Sequence, residues 1–293
     1  MDRTWPACAA DISSRALPWT APDGNALDRA QRELLALREE LEALRRENQA
    51  LSRAFRELSE IYEATLTVLA ATIDLRDREA VGHSQRVAAY TVRLAQEMGV
   101  THPEELEQLR RAALLHDIGK ANIPDTILLK PGRLTSQEWR IIRSHPILGY
   151  RMLRRIPCFA KAAELAYCHH ERWDGTGYPR GLRGEEIPLA ARLFAVADVF
   201  DALTSDRPYR TALTFEQAAA EIARGRGTHF DPKVVDAFLR VPVAEWAAIR
   251  RNLSGVPSGQ LGHKADGRRA GDDAVKERGG LADGRLQIEG VQR

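Results

Sequence analysis

At 293 residues the chain is long enough to bury one sizeable core without covalent staples. Its 43 Lys and Arg nearly cancel its 41 Asp and Glu, so net charge gives no reason to bind nucleic acid or an anionic membrane, and any anion recognition must be local. Cys8, Cys158 and Cys168 are odd in number and lack Cys-x-x-Cys spacing, which speaks for reduced thiols in the cytoplasm, and the longest apolar run, Leu66 to Ile73, is too short to span a bilayer.

Residues 1–26 mix Pro, Ala, Ser, Asp and Trp without a period and read as a poorly ordered leader. Over 27–66 the pattern becomes heptads: Leu27, Leu34, Leu41, Asn48, Phe55 and Tyr62 fall at one seam position, and Leu37, Leu44, Leu51 and Leu58 at the other. Glu33 and Glu40 flank that seam so as to face Arg38 and Arg45 of a second copy in a parallel pair, and Asn48 favours two strands in register. The expectation is a homodimeric coiled coil; the alternative is a lone amphipathic helix folded against the domain.

From 67 to 253 the text reads as helices separated by turns, with no sustained strand alternation, so the fold class is all-α. One helix is expected over Ser84–Met98, stopping at Gly99, and the next over Glu104–Ile118. Thr135 with Glu138 predicts a capping box opening a helix toward Met152, and Asp231-Pro232 opens another. A long Gly-rich interruption covers Asp174–Pro188. Residues 254–293 are Gly-rich, charged and aromatic-free, and read as a flexible tail.

Five of the eight histidines share a setting: His83, His116, His145 and the pair His169-His170 each fall at or near the end of an expected helix. His116 is followed by Asp117 after the apolar stretch Ala112–Leu115, and an imidazole beside a carboxylate is a common way to hold two divalent ions with the carboxylate between them. Taken singly, each is more often a structural or surface residue than a ligand. The case lies in their number, against His102, His229 and His263, whose contexts carry no such pattern.

The stretch Leu-Leu-His-Asp-Ile-Gly-Lys over 114–120, together with His-His-Glu-Arg-Trp-Asp-Gly-Thr-Gly-Tyr-Pro over 169–179 and the block from Ile187 to Arg210, resembles the HD-GYP phosphodiesterases of the HD superfamily. The resemblance implies a helical HD-superfamily bundle with metal ligands at His83, His116, Asp117, His145, His169, His170 and Asp198. Glu79, one helical turn before His83, would be the extra ligand for a third ion. Asp201 competes with Asp198 and is read as a partner that orients an imidazole or as a helix acid with no special task. Asp117 would bridge the ions and Lys120 would meet the phosphate as a point charge; Gly177, Tyr178, Pro179, Arg207 and Arg210 would bind substrate, with Gly175 and Gly177 admitting a ligand to the backbone and Tyr178 stacking on a purine. Two ions are implied, or three with Glu79, iron or manganese rather than zinc, because the donors lack a thiolate and Cys168 reads as a buried helix residue. The implied substrate is cyclic di-GMP and the product pGpG or GMP. The competing readings are a different nucleotide or cyclic dinucleotide as substrate, or a catalytically weak or inactive cyclic-dinucleotide-binding module that contacts a sensor or a diguanylate cyclase.

Overall fold

The computed structural model describes residues 24–206 and 210–254, so the leader before Gly24, Arg207 and the tail beyond 254 lie outside the described residues. Among the described residues no strand forms, in agreement with the all-helical expectation, and an isolated bridge joins Arg226 and Phe230.

Helix α1 runs from Gly24 to Arg76, three residues earlier than the heptads suggest. The chain divides into two units at Ile61–Tyr62. In the first unit the seam side chains stand in solvent, from Leu41 at 48% exposure to Leu51 at 70%. Tyr62 does not continue that seam: it belongs to the second unit, stacks on Phe159 with ring centroids 6.3 Å apart and lies under the Arg111 guanidinium.

In the second unit α2 spans His83–Glu97, and its first turn is bonded by Asp74, which accepts from the Ser84 backbone N–H at 3.1 Å and the Ser84 hydroxyl at 2.6 Å. Helix α3 covers Pro103–Leu114, with proline at its start and Glu104 and Glu105 in the first turn, where the helix dipole favours acids. It ends four residues short of the expected Ile118, so His116 and Asp117 stand in a turn leading to a 3₁₀ segment, Ile118–Asn122. The short helix α4 is Asp125–Leu128.

The capping box forms in both directions, Glu138 N–H to Thr135 Oγ1 at 3.3 Å and Thr135 N–H to Glu138 Oε2 at 2.7 Å. The helix it opens is two helices, however: α5, Ser136–Ile142, and α6, His145–Leu153. Pro146 has no N–H and fits a helix only in its first turn, so α6 must begin afresh just before it.

Helix α7 is Ala160–Cys168, α8 Leu189–Thr204, α9 Phe215–Arg224, α10 Pro232–Arg240 and α11 Val243–Ser254. Asp231 caps α10 as expected, accepting from the Lys233 N–H at 2.8 Å. Helix α8 is apolar on most of its circumference and is the centre of the core, packing on α2, α7, α9 and α10. Phe200 meets Tyr90 at 5.3 Å and Phe238 at 4.9 Å between ring centroids, and Phe238 stacks on Trp246. Each fully buried aromatic of this cluster contributes on the order of 1.5–3 kcal/mol. That rigid centre is what holds Asp198 and Asp201 in place.

The Gly-rich interruption is held by backbone pairing and one buried acid. Glu171, 3% exposed, accepts from the backbone N–H of Arg180 at 2.7 Å and of Leu182 at 3.0 Å, and Trp173 and Asp174 donate to the carbonyls of His229 and Thr228. His229 is buried flat on Phe230, and burial, with Arg172 nearby, pushes its pKa down to about 3. The unfolded chain takes up that proton near 6.5 and the folded chain only near 3, so this contribution is full above 6.5 and is lost as pH falls through that interval. It amounts to up to about 1.4 kcal/mol per pH unit. His229→Leu is expected to flatten the pH dependence of thermal unfolding between pH 6.5 and 4; an unchanged slope would refute the assignment.

Candidate metal centre

Three imidazoles are oriented by the same device. His116 Nδ1 is 2.9 Å from the Ala113 carbonyl, His145 Nδ1 is 2.7 Å from that of Ile142, and His169 Nδ1 is 2.8 Å from that of Ala166, in each case three residues back. A carbonyl can only accept, so each Nδ1 carries a hydrogen, and in a neutral ring Nε2 is a lone pair directed inward; at His116 burial opposes a charge but Asp117 raises the pKa, and Nε2 faces that carboxylate. The helix-end position of each histidine makes this possible, because the last carbonyls of a helix lack intrahelical donors.

These lone pairs converge. His145 Nε2 is 3.1 Å from His169 Nε2 and 3.1 Å from His170 Nε2, and Asp117 Oδ1 stands 3.2 Å from His145 Nε2 and 3.7 Å from His169 Nε2. The ligand atoms of His145, His169 and His170 all lie within 4.8 Å of one another. Neutral His145 and His169 would thus face each other, and Asp117, acceptor to acceptor, and Asp117 Oδ1 is buried without a hydrogen-bond donor. Burial and the neighbouring imidazoles hold His169 and His170 well below the usual histidine pKa, so neither of these rings takes up a proton to relieve the crowding. A cation does, and the donor set fits a divalent ion.

The other oxygen of Asp117 serves a second group. Oδ2 is 2.9 Å from His116 Nε2 and 2.7 Å from Lys120 Nζ, and His83 Nε2 is 3.4 Å from Asp198 Oδ1. The His83 and His116 rings are 5.8 Å apart. Burial works against a charged His83, but the Asp201 hydrogen bond and the charges of Asp201, Glu79 and Asp198 raise its pKa to about 10. Burial likewise opposes ionisation of Asp117, yet His116 and Lys120 hold its carboxyl well below the carboxylate range.

Asp198 and Asp201 meet different atoms of His83. Asp198 faces His83 Nε2, while Asp201 accepts from His83 Nδ1 at 2.9 Å and from Arg86 through two bonds of 2.6 and 2.9 Å. Lys120 is not a surface lysine: it is clamped between Asp117 and Asp77. Glu79 is half-buried at the margin, where its charge acts on His83, Asp198 and Lys120. Cys168 is buried, its thiol pushed up to about 11, with Arg180 Nη1 3.8 Å from its sulfur, which supports the non-ligand reading.

The substrate-side expectations need correction at the glycines. A Cβ on Gly177 would lie 2.4 Å from the Arg172 nitrogen and 2.5 Å from Glu171 Cα, so the space is filled by the protein's own backbone rather than left for a ligand. Gly175 has φ +81°, a conformation that glycine alone adopts freely. Tyr178, joined to Pro179 by a cis peptide, stacks on His170 with centroids 4.7 Å apart and lies under the Arg143 guanidinium, so part of its ring is already engaged by protein. Arg210 donates to the Ala202 carbonyl at the end of α8 at 2.5 Å. Asp77, Arg86, Arg143 and Glu171 are not among the expected residues: Asp77 and Arg86 gain their places through Lys120 and Asp201, far along the chain, and Glu171 through the folded-back loop, whereas the basic stretch before His145 could have flagged Arg143.

The HD domain family matches residues 67–234, a stretch that contains every residue of this centre. A probable cyclic di-GMP phosphodiesterase of Vibrio cholerae is 45% identical over 192 residues, covering 60% of this chain and 44% of that protein. A cyclic di-GMP phosphodiesterase of Thermotoga maritima is 46% identical over 178 residues, 60% of this chain and 48% of that one. A 3'3'-cGAMP-specific phosphodiesterase of Vibrio cholerae is 44% identical over 187 residues, covering 63% and 35%. In each case the match spans less than half the length of the curated relative.

Proposed function

The chain belongs to the HD domain family, and from that premise we propose that it is a metal-dependent phosphodiesterase of the HD-GYP type that hydrolyses cyclic di-GMP to pGpG or GMP. The observation that carries this is the convergence of inward imidazole nitrogens on a carboxylate oxygen, Asp117 Oδ1, buried without a hydrogen-bond donor. His145, His169 and His170 with Asp117 Oδ1 would hold one ion, and His83, His116 and Asp198 with Asp117 Oδ2 another; Glu79 would join for a third. When bound, the ions supply Lewis acidity that lowers the pKa of water and offsets the charge growing on the phosphoryl oxygens. Hard nitrogen and oxygen donors without thiolate suit iron or manganese.

The chain's own residues do the rest. Asp201 and Arg86 fix the His83 ring, the three carbonyl anchors fix three more rings, and Lys120 holds Asp117 in one orientation while adding positive charge beside the scissile phosphate. Tyr178 braces His170, and Glu171 holds the loop that carries Tyr178. Arg207 and Arg210 are the candidate phosphate or guanine contacts, Arg210 after release from the Ala202 carbonyl. The intact ligand set favours an enzyme over a binding-only module.

The test is turnover of cyclic di-GMP by protein reconstituted with iron or manganese, with metal content measured on the same sample. Binding without turnover would leave the sensor module, and exclusive turnover of 3'3'-cGAMP would support the second substrate, which one relative's specificity favours.

Two further proposals concern assembly and place. The exposed seam of α1 pairs with a second copy in a parallel coiled coil, Glu33 facing Arg38 and Glu40 facing Arg45, and passes strain from a sensor or cyclase partner. Light scattering at micromolar concentration is expected to give twice the chain mass, and Leu37→Lys with Leu44→Lys to give the single chain mass. No helix among the described residues is long and apolar enough to cross a membrane, and we place the enzyme in the cytoplasm.

A further inference from the structure

Most arginines near the core of the second unit are paired with acids: Arg86 with Asp201, Arg192 with Asp231, Arg110 and Arg111 with Glu63 and Glu107. Arg143 is different. It stands at the junction of α5 and α6, two residues before His145, with its guanidinium 5.0 Å from the centroid of Tyr178 and 5.6 Å from that of Trp139. Its side chain is exposed and, among the described residues, makes no ion pair and no hydrogen bond. Attraction to a ring face holds a guanidinium by its charge and leaves its N–H donors for an anion. The ring that holds it is the one stacked on His170, so this cation belongs to the mouth of the imidazole cluster.

A cyclic dinucleotide carries two phosphodiesters, and only one can lie at the hydrolytic centre. We propose that Arg143, steadied by Trp139 and Tyr178, binds the second phosphodiester and so selects a substrate with two phosphates over one with a single phosphate. The inference rests on the phosphodiesterase reading above. It makes Tyr178 a brace with two contacts, one to a ring of the metal cluster and one to the cation that receives the far side of the substrate.

The test compares wild type, Arg143→Ala, Arg143→Lys and Arg140→Ala, all full length and metal-loaded. KM and kcat are measured on cyclic di-GMP and on bis(p-nitrophenyl) phosphate, a diester with one phosphate, and cyclic di-GMP binding is titrated in chelator, where no turnover occurs. Arg143→Ala is expected to raise KM and the dissociation constant for cyclic di-GMP about tenfold or more, the weight of a charge-assisted hydrogen bond, with a loss at least about tenfold smaller on the single-phosphate diester. Arg143→Lys should recover part of the affinity, and Arg140→Ala, on the same segment without an aromatic clamp, should behave as wild type.

Equal losses on both substrates would mean that Arg143 only props Tyr178, and would overturn the proposal. An unchanged Arg143→Ala, or an Arg140→Ala as weak as Arg143→Ala, would do the same. Wild type that hydrolyses the single-phosphate diester but neither binds nor cleaves cyclic di-GMP would overturn the substrate reading itself, and the second-phosphate site with it.

Discussion

Asp117→Ala is expected to eliminate metal retention and turnover while leaving the helical fold in place. This carboxylate touches both halves of the centre, with Oδ1 toward His145 and His169 and Oδ2 toward His116 and Lys120. Loss of an outer partner of a ligand commonly weakens metal affinity by about 10–100-fold, and loss of the acid proposed to be shared between the ions should exceed that. Asp201→Asn, which disturbs only the bond to His83 Nδ1 and the Arg86 pair, therefore sets the lower mark. The fold should survive because Lys120 keeps Asp77 and the apolar core does not include Asp117. Metal content by elemental analysis, turnover, and far-ultraviolet circular dichroism decide it: an Asp117→Ala protein that keeps its ions and its rate removes Asp117 from the hub.

Gly119→Ala is expected to be the most damaging single methyl group in the domain. An added Cβ would stand 2.0 Å from the His145 carbonyl oxygen and 2.5 Å from the Gly149 nitrogen, and both are backbone atoms with no side-chain torsion to yield. The 3₁₀ turn after Asp117 would have to lift off α6, carrying Asp117 away from His145. Overpacking of this kind costs roughly 1–3 kcal/mol and occasionally more. At about 2–4 °C per kcal/mol for a domain of this size, thermal melts should drop by several degrees, with metal affinity falling in parallel. A variant that melts and binds metal like wild type would show that the turn and α6 are not locked together.

The sequence disclosed what depends on neighbours within a turn or two. The Thr135–Glu138 and Asp231 caps, the apolar circumference of α8 and the helix-end setting of the histidines are all local patterns, and the structure has each of them. The ends of helices were less legible. The expected continuation of α3 to Ile118 fails because Gly119 docks backbone to backbone on α6, a contact with residues 26 and 30 positions away that leaves no periodic trace. Tyr62 fits the heptad count yet stacks on Phe159, because register alone does not say where a seam gives way to a core.

The sequence shows which imidazoles and acids could gather at the site, but not the residues that support them. Asp77 looks like any acid at a helix end until Lys120 meets it, and Glu171 looks like a solvated glutamate until the loop folds back over it. The glycines of the loop suggest room for a ligand. Gly177 instead answers an internal demand, the close passage of Glu171 and Arg172.

The carbonyl anchors of His116, His145 and His169 tie the chemistry to the ends of three helices. Fraying of any of those last turns would free a ring to rotate, so with the proposed ligand set local melting and loss of an ion would be one thermodynamic event seen by two probes. Amide exchange at residues 113–117, 142–145 and 166–170 should accordingly slow together when iron or manganese is added, as three distant stretches of backbone become a single cooperative unit.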